Sequence, residues 1–375
     1  MNEMDKKLLF RIALTLIPGI GCKSYRQLME VCDDPEELFS MNRESLNRIF
    51  GNHTDISNAI ANKTTMRRAE EECLFLENNN ISPLFYTDTS YPRRLNRADC
   101  TDTPPLLYCH GSCNLNAKHV VSIVGTRRMT HYGHDMAEKI VHEIQSEDLL
   151  IVSGLAYGVD TAAHTAALAN GIPTAGVLGH GLDQLYPPQN RKLAHSMIEH
   201  GGCLLTEYPS YTQINPAYFP ARNRIIAALA DAVIVVEASD KGGALITANI
   251  ANSYHRDVFA VPGRNTDTYS RGCNNLIANN KALIYNNADT FFFNMGWKRP
   301  QSAENSQQQL FATLSHDEQA IVDLLKKEDM LGIDEICADT GYSLPKVAGL
   351  LLNLEMSNII RCLPGKTYKL IPTGA

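Results

Sequence analysis

The chain has 375 residues, 44% of them hydrophobic and 20% charged, with a formal net charge of −7. That length is enough for two or three domains and a substantial core. The acidic balance excludes a surface coated all over for polyanions, so any nucleic-acid binding would have to rest on a local basic groove.

The first residues place charge ahead of an apolar run, as a secretory leader would. Arg11 interrupts that run, and Pro18-Gly19-Ile20-Gly21 follows where a cleavage site would stand. No run approaches the roughly 18 apolar residues needed to cross a bilayer, so the expectation is a cytoplasmic protein with no membrane partner. Ten cysteines are scattered without a repeated C-x-x-C pair. Cys109-His110-x-x-Cys113 lacks a second pair, which favours buried thiols in a reducing cytosol over zinc. No metal or cofactor is expected.

Residues 1–82 read as all-helical. Leu8, Ile12, Leu16 and Ile17 recur at helical spacing, and Tyr25, Leu28 and Met29 line a second helix. The glycine turn between them has the form of a helix-hairpin-helix, whose amides can touch a DNA phosphate. An ordinary packing corner accounts for the same glycines.

Residues 83–294 alternate strands and helices. Strands are expected at 119–124, 149–153, 174–178, 203–206, 232–237, 258–261 and 282–284. Helices are expected near 133–146, 160–170, 190–200, 220–230, 243–255 and 272–280. Short aliphatic strands without alternation belong to a parallel sheet covered on both faces. The expected fold class is therefore α/β, a Rossmann-like doubly wound sheet with ligands at the carboxyl ends of its strands. A polar, glutamine-rich stretch at 295–309 reads as a linker. Residues 310–375 read as helices followed by a hairpin turning at Pro364-Gly365, the pattern of a winged helix. Its expected recognition helix carries Lys346 as its only basic residue among many acids, so a protein-contact or regulatory role is expected there instead of duplex reading.

The strongest site signal is Phe219-Pro220-Ala221-Arg222-Asn223-Arg224. It reads as a helix start with Pro220 in the first turn and two guanidinium groups beside free amides, a place for phosphate. After the first parallel strand come Gly125, Thr126, Arg127 and Arg128. The G-x-G-x-x-G spacing of a dinucleotide site is missing, and arginines occupy the turn. Ser153 and Gly154 open a second glycine loop, in which Asp160 and His164 read as an N-cap with a hydrogen-bonded histidine before they read as acid–base machinery. Gly179 marks a third turn, with Arg191 and Lys192 beyond it. Lys241, Gly242 and Gly243 mark a fourth. Together the loops form one basic rim suited to a polyphosphate track.

These stretches resemble the DNA-processing protein A family (DprA, also called Smf). The likeness runs in order through SIVGTRRMTHYG (122–133), SGLAYGVDTAAH (153–164), LGHGLDQLYPPQN (178–190) and TEYP (206–209). It continues through FPARNRIIAALADAVIVVEA (219–238), GGALITANIA (242–251), VFAVPG (258–263) and GCNNLI (272–277). The resemblance implies a non-catalytic, homodimeric recombination mediator that binds and protects incoming single-stranded DNA in natural transformation and helps load RecA. It implies backbone contacts from Arg127, Arg222 and Arg224, and base contacts from Phe219 and Asn223. Family members often carry a basic residue where Ala221 stands and Ser-Gly-Ser where Gly242-Gly243-Ala244 stands. The competing expectation is a Rossmann-like nucleotide phosphoribohydrolase, but the glutamate that follows the glycine loop in such enzymes has no counterpart after Gly242-Gly243.

Overall fold

Helical signals near the amino terminus are local ones. Asp34 accepts from the Glu36 amide and Asn42 from the Ser45 amide, starting two short helices on side-chain caps. In the computed structural model, which describes residues 3–32, 34–51, 54–299, 314–328, 330–357, 359–363 and 366–370, six helices come first. They are α1 (Glu3–Thr15), α2 (Cys22–Val31), α3 (Pro35–Ser40), α4 (Arg43–Phe50), α5 (Thr54–Ala61) and α6 (Met66–Asn78). In the turn between α1 and α2, the Gly21 amide donates to Ser24 Oγ at 2.8 Å and the Ile20 amide to the Ile17 carbonyl at 3.1 Å. Amides that a phosphate would need are thus used inside the turn, which favours the packing corner.

Nine strands form one sheet. They are β1 (Ile81–Phe85), β2 (Leu106–Gly111), β3 (His119–Val124), β4 (Leu149–Ser153), β5 (Thr174–Val177), β6 (Cys203–Thr206), β7 (Ala232–Val235), β8 (Asp257–Ala260) and β9 (Leu283–Ile284). Their spatial order is β1-β2-β6-β5-β4-β3-β7-β8-β9, antiparallel through β1, β2 and β6 and parallel from β6 to β9. The chain winds outward from β3 through β6, then returns to β7 on the other side of β3. That reversal is the switch point at which doubly wound sheets place ligands.

Helices α7 (His131–Glu143), α8 (Val159–Ala169), α9 (Arg191–Glu199), α10 (Tyr218–Leu229), α11 (Gly243–Ser253), α12 (Arg271–Ala278) and α13 (Ala288–Met295) cover the sheet. Alternation along β3 sends Val120 and Val124 into the core under α10, α11 and α12. Val121 and Ile123 enter the opposite core under α7, α8 and α13.

The sequence reading misses β1 and β2. Pro83 and Ser82 make β1 look like a loop, yet an edge strand tolerates a proline. Residue 82, the expected domain boundary, lies inside β1. Phe85, Leu106 and Tyr108 share one core with Ile12, Tyr25 and Leu38 of the leading helices. The start of the expected linker is also ordered: Gly296 ends α13 in the left-handed conformation, and the Trp297 ring stacks on His119 at 4.1 Å. Residues 300–309 of that linker lie outside the described residues. The sulfurs of Cys113 and Cys203 lie against each other, where the sequence leads to an expectation of separate buried thiols. Gly111 pairs with Cys203 in the β2–β6 register, so the loop leaving β2 brings Cys113 alongside.

The chain divides into two compact units after residue 300. The second unit holds α14 (His316–Lys327), β10 (Leu331–Gly332), α15 (Ile333–Thr340), α16 (Leu344–Met356), β11 (Ile360–Leu363) and β12 (Thr367–Leu370). Its sheet runs β10-β12-β11, giving a winged helix around Ile321, Ile336, Val347 and Leu351. The expected Pro364-Gly365 turn lies outside the described residues. Lys346 on α16 is held by Asp317 at 2.6 Å, so the recognition helix spends its basic residue within the unit.

Candidate nucleic-acid interface

Three loops leave the carboxyl ends of β4, β3 and β7 and are stitched together by their backbones. The Thr126 amide donates to the Glu237 carbonyl at 2.8 Å, and the Thr126 carbonyl accepts from the Val159 amide at 3.2 Å. Gly125 sits directly under Val159, where a side chain would not fit. The Glu237 carboxylate is buried at the start of α7, where it accepts from the Thr130 amide at 2.9 Å and the Thr130 hydroxyl at 2.6 Å. This helix start is where a dinucleotide pyrophosphate would rest. A carboxylate of the chain itself fills it, which explains the missing glycine fingerprint.

Beside the switch point a small groove is lined by Arg127, Gly154, Ala156, Tyr157, Tyr186, Pro187, Phe219 and Arg222. Its floor is a buried polar network. Asp160 accepts from the Gly154 amide at 3.1 Å and the Ala156 amide at 3.3 Å, holding the β4 loop from beneath. Arg222 is only 4% exposed, and its Nη1 donates to the Val177 carbonyl. Burial lifts the Asp160 carboxyl and lowers Arg222 to about 10, while their mutual attraction opposes both shifts. His164 donates to or accepts from Thr174 Oγ1 at 2.7 Å, and burial lowers it to about 3. Asp160 and His164 are both structural here, and Asp160 props the loop instead of capping the helix, whose N-cap is Gly158.

Two expectations about α10 change. The helix begins at Tyr218, so Arg222 and Arg224 lie in its second turn and not at its mouth. Pro220 is tolerated because first-turn amides have no intrahelical partner. Arg222 faces the core, and Arg224 is matched by a carboxylate. The Arg224 guanidinium bonds Glu207 in two parallel contacts of 2.6 Å and also donates to the Asp102 carbonyl at 3.0 Å. Those contacts hold it charged at any pH the fold meets. Neither arginine offers a free guanidinium to phosphate.

The remaining expected residues separate into roles. Ser153 is buried with its hydroxyl on the Ile123 carbonyl, and Gly179 lies against the Tyr218 backbone and the Phe219 ring. Arg127 and Arg128 are exposed and have no carboxylate partner among the described residues; Arg127 lies 5.7 Å over the Phe219 ring. Tyr186 meets the same ring at 5.6 Å, and the Tyr157 hydroxyl donates to Gln189. Asn223, one helical turn beyond Phe219, donates to the Gly243 carbonyl at 3.5 Å. It thereby joins the groove to the start of α11, where Gly242 is the N-cap and Lys241 is exposed and unpaired among the described residues. The sequence reading passes over Tyr157, Tyr186, Glu207 and Glu237 as site residues. The two tyrosines lie on the glycine loops it flags, and no local pattern marks the carboxylates as partners.

Residues 82–296 match the family of the DNA recombination-mediator protein A, and residues 301–366 match the winged helix domain of DprA. The chain belongs to the DNA recombination-mediator protein A family. Membership gives it its class, a DNA-processing recombination mediator, and bears out the resemblance read from the ordered motifs. Protein Smf of Synechocystis is 31% identical over 396 residues, covering 96% of this chain and 97% of that protein. DNA processing protein DprA of Streptococcus pneumoniae is 43% identical over 202 residues, covering 54% of this chain and 70% of its own. The crystal structure of the pneumococcal protein aligns with a TM-score of 0.63 at 32% identity, over 76% of this chain and 97% of that one. A Helicobacter pylori member, described for its single-stranded DNA binding mode, aligns at 0.51 and 31% identity over 57% of this chain and 95% of its own.

Proposed function

We propose that the protein binds single-stranded DNA along the carboxyl rim of its sheet, protects the strand and helps load the RecA recombinase, as in natural transformation. In this reading it acts without catalysis, as a cytoplasmic homodimer. The observation that carries the reading is Arg127, an exposed cation with no carboxylate partner among the described residues, set over Phe219 at a groove walled by Tyr157 and Tyr186. A single strand presents base faces to aromatic rings and phosphates to cations at once, whereas a duplex hides those faces. The H. pylori relative's mode of binding single strands supports the same assignment.

Contacts to the DNA backbone fall to Arg127, Arg128 and Lys241, with the first amides of α11 beside them. Phe219 and Asn223 face bases. Gly125, Thr126, Ser153, Gly154, Gly179, Arg222 and Arg224 build the support. No helix among the described residues is long and apolar enough to cross a membrane. The winged helix, with Lys346 neutralised by Asp317, serves a protein contact in this reading.

Fluorescence anisotropy with oligothymidylate against a duplex of equal length tests the assignment, and preference for the duplex would defeat it. RecA filament assembly on protein-coated strands, sedimentation, and an assay for base release from nucleoside monophosphates address loading, dimerisation and the absence of catalysis in turn.

A further inference from the structure

The rim does not stop at the switch point. Val124, Val235 and Ala260 stand in register at the ends of β3, β7 and β8, so the loop after β8 leaves the sheet level with the two before it. Adjacent strands lie about 4.8 Å apart, which puts the β8 loop about 10 Å along the rim from the Arg127 turn, one or two nucleotides farther.

That loop is held fast. Asn274 of α12 clamps it from below: its amide nitrogen donates to the Gly263 carbonyl at 2.9 Å and to Asn265 Oδ1 at 3.3 Å, and its oxygen accepts from the Gly263 amide at 3.2 Å. From the β3 side, the Tyr132 hydroxyl donates to the Pro262 carbonyl at 2.8 Å. Arg264 lies between the clamped residues. It is exposed and has no carboxylate within ion-pair distance among the described residues, unlike nearby Arg271, which pairs with Asp240 at 3.7 Å. Tyr132 is 44% exposed although its hydroxyl is engaged.

We infer that Arg264 and Tyr132 form a second anchoring point for the polynucleotide, with Arg264 meeting a phosphodiester and Tyr132 offering a stacking face. This rests on the single-strand reading of the groove and extends it across β7 to β8. A lone cation on a mobile loop would lose side-chain and backbone freedom on contact, whereas the Asn274 and Tyr132 clamps have already fixed this backbone. Phosphate contact by an arginine fork is also geometrically favourable.

The experiment is an anisotropy series with two oligothymidylates, about 4 and about 16 nucleotides long, the span of site sizes for one single-strand-binding fold. Arg264→Ala is expected to weaken the long strand about 3- to 10-fold and flatten the plot of log K against log salt by about 0.7, with the short strand unchanged. Arg264→Lys is expected to keep the slope. Tyr132→Leu is expected to weaken the long strand without altering the slope. Failure of the unaltered protein to bind either strand overturns the reading of the groove itself. Normal binding, with Arg264→Ala superimposable on the unaltered protein for the long strand, overturns this extension alone.

Discussion

The Arg222 guanidinium occupies the space that a side chain at Gly154 would need, so the second turn of α10 and the loop after β4 are fitted to each other. Asp160 completes the arrangement from below through the loop amides. The groove floor is thus a buried arginine and a buried carboxylate, each bonded to backbone, and the arginine shapes the site without touching what lies in it.

Gly154→Ala forces the guanidinium aside. It is expected to cost about 1–3 kcal/mol of stability in urea unfolding and to weaken single-strand binding at least about tenfold. Arg222→Ala leaves the Val177 carbonyl without its donor and empties a buried site, and is expected to cost about 2–5 kcal/mol. Arg127→Ala, at the exposed rim, should stay within about 0.5 kcal/mol of the unaltered protein.

Arg224 is a tie between α10 and the loop after β6. Arg224→Lys keeps a charge but loses the paired contacts with Glu207, so it should lower the urea midpoint while leaving the salt slope of DNA binding unchanged. A double-mutant cycle with Glu207→Gln is expected to give a coupling of about 1–3 kcal/mol, within the range for directly bonded side chains.

His164 makes the fold sensitive to acid. An unfolded imidazole takes its proton near 6.5, whereas the buried one resists to about 3. Between those values the folded state binds fewer protons, so stability is full above 6.5 and falls as the pH drops. The loss is about 1.4 kcal/mol per unit, or about 2 kcal/mol by pH 5. The raised Asp160 carboxyl acts in the opposite direction over the acid range. Urea unfolding of His164→Asn at pH 7 and pH 5 isolates the histidine: the variant should lose about 2 kcal/mol less between the two conditions.

The parallel sheet was legible because its strands are short aliphatic runs ended by glycine turns, and β3, β4 and β6 fall at their expected residues. β1 escaped notice because proline and serine disguise an edge strand, and α13 because its cap at Gly296 lies beyond the last strong apolar run. The site was legible as a set of loops and less so as a set of contacts. Cations can be counted in a sequence, but their partners come from distant segments. Glu207 reaches Arg224, the Val177 carbonyl takes Arg222, and Asp317 takes Lys346. Two arginines one residue apart look equivalent on a page, yet the helix starts earlier than Pro220 suggests and turns one inward. The missing dinucleotide fingerprint was legible, but its replacement by the Glu237 carboxylate was not.

The central claim is that exposed cations on this rim hold the backbone of a single strand. The most direct measurement is the salt dependence of oligothymidylate binding for the unaltered protein and for Arg127→Ala. The account predicts tight binding that weakens with salt, together with a slope smaller by about 0.7 and uniformly lower affinity across sequences in the variant. Equal affinity and equal slope for the two proteins at matched salt would contradict it.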